Sequence, residues 1–69
     1  MRAMTKKHFI KIAEAFGEVL SKSKDESNEA YAVWLAVFKF EEVAKQANAR
    51  FDYEVFEQKI RDTRNALRG

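Results

Sequence analysis

Ala30-Tyr-Ala-Val-Trp-Leu-Ala-Val-Phe38 is an unbroken run of nine apolar residues, and Phe40 follows after a single lysine. A bilayer span takes about 20 such residues, so the run is too short for that. It reads as the centre of a helix that continues through Glu41-Glu-Val-Ala-Lys-Gln-Ala47. One apolar stripe of this helix is Ala30, Val33, Val37, Phe40, Ala44 and Ala47. A second is Tyr31, Trp34, Leu35 and Phe38. Together they cover well over half of the circumference, whereas a surface helix shows a stripe of roughly 100° or a little more. The rest of the chain must therefore cover this helix on two sides, and any remainder around Tyr31, Leu35 or Phe38 is left for a partner.

Few other architectures are open. The chain has 69 residues, no cysteine, no proline, and only Gly17 and Gly69 as glycines. That length makes one domain, residues 1–69. A core of that size is helped by disulfides, metal, self-association or very regular helix packing. Without cysteine the first is excluded, together with thiolate metal sites, and the composition fits a reducing cytoplasm. The scarcity of turn residues argues against an all-β fold. No signal-peptide pattern is visible, since no continuous apolar segment follows Arg2. Met4 can itself serve as a start, which would make Met1-Arg-Ala3 an upstream extension.

The helices are expected over about 5–22, 27–48 and 52–67, in a three-helix antiparallel bundle with helix two as its dimer seam if the chain self-associates. Thr5 is the expected N-cap of the first, with Met4 stapled on Phe9. Phe9, Ala13, Phe16 and Leu20 form its inner stripe, widened by Ile12 and Val19. Gly17 interrupts it at a cost of about 1 kcal/mol, which points to a second helix crossing closely, or else to a hinge. Ser21–Asn28 is a polar connection with Ser23, Asp25 and Ser27 as competing caps. Asp52 is the expected cap of helix three, and Phe51 and Phe56 its staple. Tyr53, Phe56, Ile60, Thr63 and Leu67 face inward. Glu57 and Arg61 make an i, i+4 pair.

Catalytic chemistry finds no constellation. There is no phosphate loop, no Ser/His/Asp set and no cofactor fingerprint. The expectation is accordingly no enzyme, no cofactor, no metal and no catalytic residue. His8, the single histidine, reads as a helix-start residue. Glu41-Glu42 is the one adjacent acidic pair; a buried member would have a raised pKa, but pairing with a lysine such as Lys45 is the plainer reading. Protein–protein association has a better basis, because Tyr31, Trp34, Leu35 and Phe38 concentrate the residue types found at interface centres. Lys6, Lys7 and Lys11, and the Arg61, Arg64 and Arg68 face, are candidate electrostatic contacts to an acidic partner. Nucleic acid is the alternative partner for those basic patches. However, the net charge is only +2, from thirteen Lys/Arg against eleven Asp/Glu, and helix two is too long for a helix-turn-helix.

The segments Met4-Thr-Lys-Lys-His-Phe-Ile-Lys-Ile-Ala-Glu14 and Asn48-Ala-Arg-Phe-Asp-Tyr-Glu-Val-Phe56 resemble small phage and prophage proteins. Those open with a Thr-Lys-Lys-His-Phe segment and close with Arg-Phe-Asp-x-x-x-Phe after a long helix. The chain departs from them in lacking a proline before Arg50 and in the basic extension of helix three. The resemblance implies a mobile-element origin and a role in the host cytoplasm by binding a host protein, for instance as an inhibitor of a defence system such as CRISPR–Cas. It carries over no functional residue.

Overall fold

Two local hydrogen-bond devices set the helix starts. Ser27 accepts from the amide of Ala30 at 3.1 Å through its hydroxyl, and Asp52 accepts from the amides of Glu54 and Val55 at 2.9 and 3.3 Å. Each satisfies donors that have no partner within the helix. The computed structural model describes residues 6–69, and among them three helices form: α1, Lys6–Ser21; α2, Asn28–Ala47; and α3, Tyr53–Arg68. No strand is present among the described residues. The expected cap at Thr5, the Met4 staple and the Met1–Ala3 extension lie outside the described residues. The second staple is present, with the Phe51 and Phe56 rings 5.2 Å apart.

The bundle runs up, down, up, so α1 and α3 are parallel. Their facing sides explain why they approach closest. Ala13 and Gly17 give α1 a smooth surface, and both are buried. A Cβ on Gly17 would stand 2.7 Å from the Ile60 carbonyl oxygen and 2.7 Å from Thr63 Cβ. Of the two roles open to Gly17, close packing is the one observed, and α3 is the helix that crosses it. Glu14 reaches across the same seam to Lys59 at 3.9 Å.

α2 sits farther from both, because bulky rings stand between. Five of the six phenylalanines, Phe9, Phe16, Phe40, Phe51 and Phe56, form one cluster. Phe40 is its wedge from α2, stacked on Phe56 at 5.4 Å and edge-on to Phe9 and Phe16 at 6.3 and 6.2 Å. Val37, Leu20 and Ile60 fill the other end and are almost fully buried. The expectation that α1 and α3 would bury both stripes of α2 is only half met. Ala30, Val37 and Ala44 are buried and Val33, Trp34 and Phe40 are partly so, but Tyr31, Leu35 and Phe38 stay exposed. Tyr53 and Leu67, expected to face inward on α3, are exposed as well, and so is Val19 on α1.

The α1–α2 connection is polar, as its sequence shows, but it is tethered. Arg68 donates to Asp25 Oδ1 at 2.9 Å, to the Leu20 carbonyl at 3.0 Å and to the Ser23 carbonyl at 2.6 Å. One guanidinium thus caps the end of α1 and holds the loop to α3. The loop needs that support, since Glu26 turns it with φ of 62°, a backbone region unfavourable for a residue with a side chain. Arg68→Ala is expected to cost about 2 kcal/mol, which would lower the thermal midpoint by roughly 8–16 °C in a domain of this size. Arg68→Lys should recover only part, because an ammonium lacks the fork that reaches three acceptors at once. Thermal melts of the two variants check this.

Candidate protein-binding surface

The outer side of α2 is more bulky and more apolar than a monomer's solvent face needs to be. Helical spacing puts Tyr31, Leu35 and Phe38 on one stripe, roughly 120° round the helix from the buried Ala30, Val37, Glu41 and Ala44. Tyr31 is 66% exposed, and Leu35 and Phe38 are 49% exposed each. Val43 is also exposed, but on a different side of α2 from this stripe. Phe38, the phenylalanine outside the core cluster, instead leans on Trp34 with ring centroids 6.0 Å apart. Trp34 is half-buried at the seam with α3, where the Arg61 guanidinium lies 6.0 Å from its ring centre. All four residues expected from the sequence to mediate association are thus brought together, three as an open patch and Trp34 as its edge.

The expected electrostatic contacts separate into two groups. Arg64 and Arg68 both reach Asp25, at 4.0 and 2.9 Å, and Arg61 stands 3.9 Å from Glu57. These arginines are engaged within the chain, so the face they form is largely neutralised. Lys6, Lys7 and Lys11 are exposed on the first two turns of α1. Lys6 and Lys59 rim a groove of about 690 Å³ whose floor includes Phe9, Ile10, Val55 and Phe56. His8 is exposed in the first turn of α1. Among the described residues, no group of three or more His, Asp or Glu side chains is placed to hold a metal. No helix of these is long and apolar enough to cross a membrane.

One ionisable group was not placed correctly by sequence pattern. Glu41 does not pair with Lys45, whose ammonium instead donates to the carbonyls of Ala49 and Phe51 at 2.7 and 3.2 Å. Glu41 is 4% exposed, its Oε2 has no hydrogen-bond partner, and its carboxyl faces that of Glu57 on α3. Burial, and then the hydrogen bond and negative charge of Glu57, push its pKa up to about 8. At neutral pH Glu41 is therefore protonated and able to donate to the Glu57 carboxylate. Periodicity aims one member of the Glu41–Glu42 pair at the apolar stripes, but no spacing rule reveals an acid on another helix. Neither this groove nor a shallower one at Lys45, Arg50 and Tyr53 is lined by Glu41. No family model, curated protein or solved structure matches the chain.

Proposed function

We propose that this chain is a non-enzymatic protein-binding module of phage type, working in the host cytoplasm by association through the outer face of α2, as an inhibitor of a bacterial defence system of the CRISPR–Cas kind. The observation that carries the binding reading is the exposure of Tyr31, Leu35 and Phe38 in one stripe beside Trp34. Scattered exposed apolar residues are ordinary, but a contiguous bulky patch marks an interaction site. Lys6, Lys7 and Lys11 lie on another helix and supply steering towards an acidic partner. The inhibitor role rests on the resemblance of the two end segments to small phage proteins.

The test is plating of a targeted phage on bacteria that carry an active CRISPR–Cas system and express the chain. Wild type should restore plating by several orders of magnitude, and Leu35→Glu with Phe38→Glu should not. Because both side chains are half exposed, the double variant should keep its helical signal and stay within about 1 kcal/mol of wild-type stability. Failure of the wild type to restore plating would sink the inhibitor role, and a double variant as active as wild type would remove α2 from it. Titration with DNA and RNA at low salt should show no binding. Binding lost on changing Lys6, Lys7 and Lys11 to alanine would move the assignment to nucleic acid.

A further inference from the structure

We infer that the outer face of α2 closes on a second copy of this chain, the two α2 helices lying antiparallel about a two-fold axis. This rests on the reading of that face as the associating surface and names its occupant. The spacing selects it first. Tyr31, Leu35, Phe38 and Glu42 follow one another at intervals of four, three and four residues along one stripe. That sequence of intervals is the same read in either direction about the point between Leu35 and Phe38. A two-fold axis there sets Leu35 of each copy on Phe38 of the other, and Tyr31 of each on Glu42 of the other. Isologous pairing of this kind needs a surface that is complementary to itself.

The chemistry of the ends fits the same register. Tyr31 offers a phenol hydroxyl and Glu42 a carboxylate, its side chain 63% exposed and steadied by Lys39 at 3.3 Å. Each tyrosine can donate to the facing carboxylate, so both ends of the contact close with a hydrogen bond and Glu42 keeps its lysine. In area, Tyr31, Leu35 and Phe38, exposed by half to two thirds, offer about 300–400 Å² per copy. Two copies bury about 600–800 Å², the size of a weak and transient contact rather than an obligate one. The dimer should accordingly be reversible, with a dissociation constant in the micromolar range. Self-association is also one of the common ways for a chain this short to enlarge its core.

Light scattering of the full chain from about 1 μM to about 1 mM tests this, with circular dichroism to establish that each variant is folded. Wild type should pass from monomer to dimer mass across the series. Leu35→Glu should remain monomeric throughout. Tyr31→Glu should do the same, because it sets two carboxylates against each other at both ends. Adding Glu42→Lys to Tyr31→Glu should restore the dimer, since each end then pairs opposite charges. Wild type that stays monomeric at the highest concentration overturns the inference, and so does a folded Tyr31→Glu/Glu42→Lys variant that fails to dimerise. If wild type is monomeric while the Leu35→Glu/Phe38→Glu pair still abolishes phage plating, the pairing falls and the binding role of the face stands. A dimer indifferent to Leu35→Glu removes the face itself.

Discussion

Glu41→Gln is expected to stabilise the protein by about 3 kcal/mol at pH 7 and to leave its stability unchanged at pH 4. Glu41 ionises near 4.5 when unfolded and near 8 when folded. Between those values the folded state binds a proton that the unfolded state has released. Stability is therefore greatest below pH 4.5 as far as this group is concerned, and falls by about 1.4 kcal/mol per pH unit as pH rises towards 8. Above that the loss levels off, with Glu41 and Glu57 both charged across the α2–α3 seam. Glutamine is neutral at every pH, has nearly the same shape, and can still donate to Glu57. The variant should thus lose this segment of the pH dependence as well as gain stability. Glu57→Gln should narrow the pH range over which stability falls without abolishing it, because burial, the largest single cause of the shift, remains. Urea unfolding of the three proteins at intervals between pH 4 and 8.5 measures this; a wild-type stability that does not decline over that range contradicts it.

The second large effect is expected at Gly17. Alanine there gains about 1 kcal/mol of helix propensity, yet Gly17→Ala should destabilise by a net 2 kcal/mol or so, as overpacked core sites do. The reason lies in what the added methyl meets. One neighbour is the Ile60 carbonyl, at 2.7 Å, which belongs to the hydrogen-bonded ladder of α3 and cannot move without the helix. The other is Thr63 Cβ, also at 2.7 Å. The parallel helices would have to part, and that loosens Ala13, Leu20 and Ile60 together. The urea midpoint should fall with little change in slope. Pairing Gly17→Ala with Thr63→Gly should return part of the loss and no more, because the carbonyl contact persists. The coupling is read from the double-mutant cycle. A Gly17→Ala protein more stable than wild type would mean that the helices do not approach as described.

The features that sequence made legible are those decided within a few residues. Ser27 and Asp52 cap the helices because a hydroxyl or carboxylate followed by free amides is a local arrangement, and the observed boundaries, 28–47 and 53–68, lie within a residue of those expected. The Phe51–Phe56 staple is equally local. Gly17 announced a close crossing but not the identity of the crossing helix, since α2 and α3 both offer apolar stripes. The surplus of apolar residues on α2 is readable from its width, and the expected remainder of Tyr31, Leu35 and Phe38 does lie outside, together with Val43 and with Ala47 of the expected inner stripe. In sequence, Arg68 reads only as part of a basic face towards an acidic partner. Its partners, Leu20, Ser23 and Asp25, lie more than forty residues away. Glu41 and Glu57 come together for the same kind of reason, through the pairing of two helices, and no periodicity within either helix encodes that.

The parallel seam between α1 and α3 has a consequence for how the chain acquires its fold. Its closest contact joins Gly17 to Ile60, so the whole of α2 and both connections must be looped out before that contact forms. Loop-closure entropy is spent early, and the contacts that offset it come late. The α1–α2 hairpin that emerges first from a ribosome has no such close seam, and it carries the apolar run Ala30–Phe38 uncovered. During synthesis the nascent chain should therefore remain unfolded until α3 is released, and then fold in one cooperative step. Over that interval the uncovered stretch is a ready substrate for chaperones.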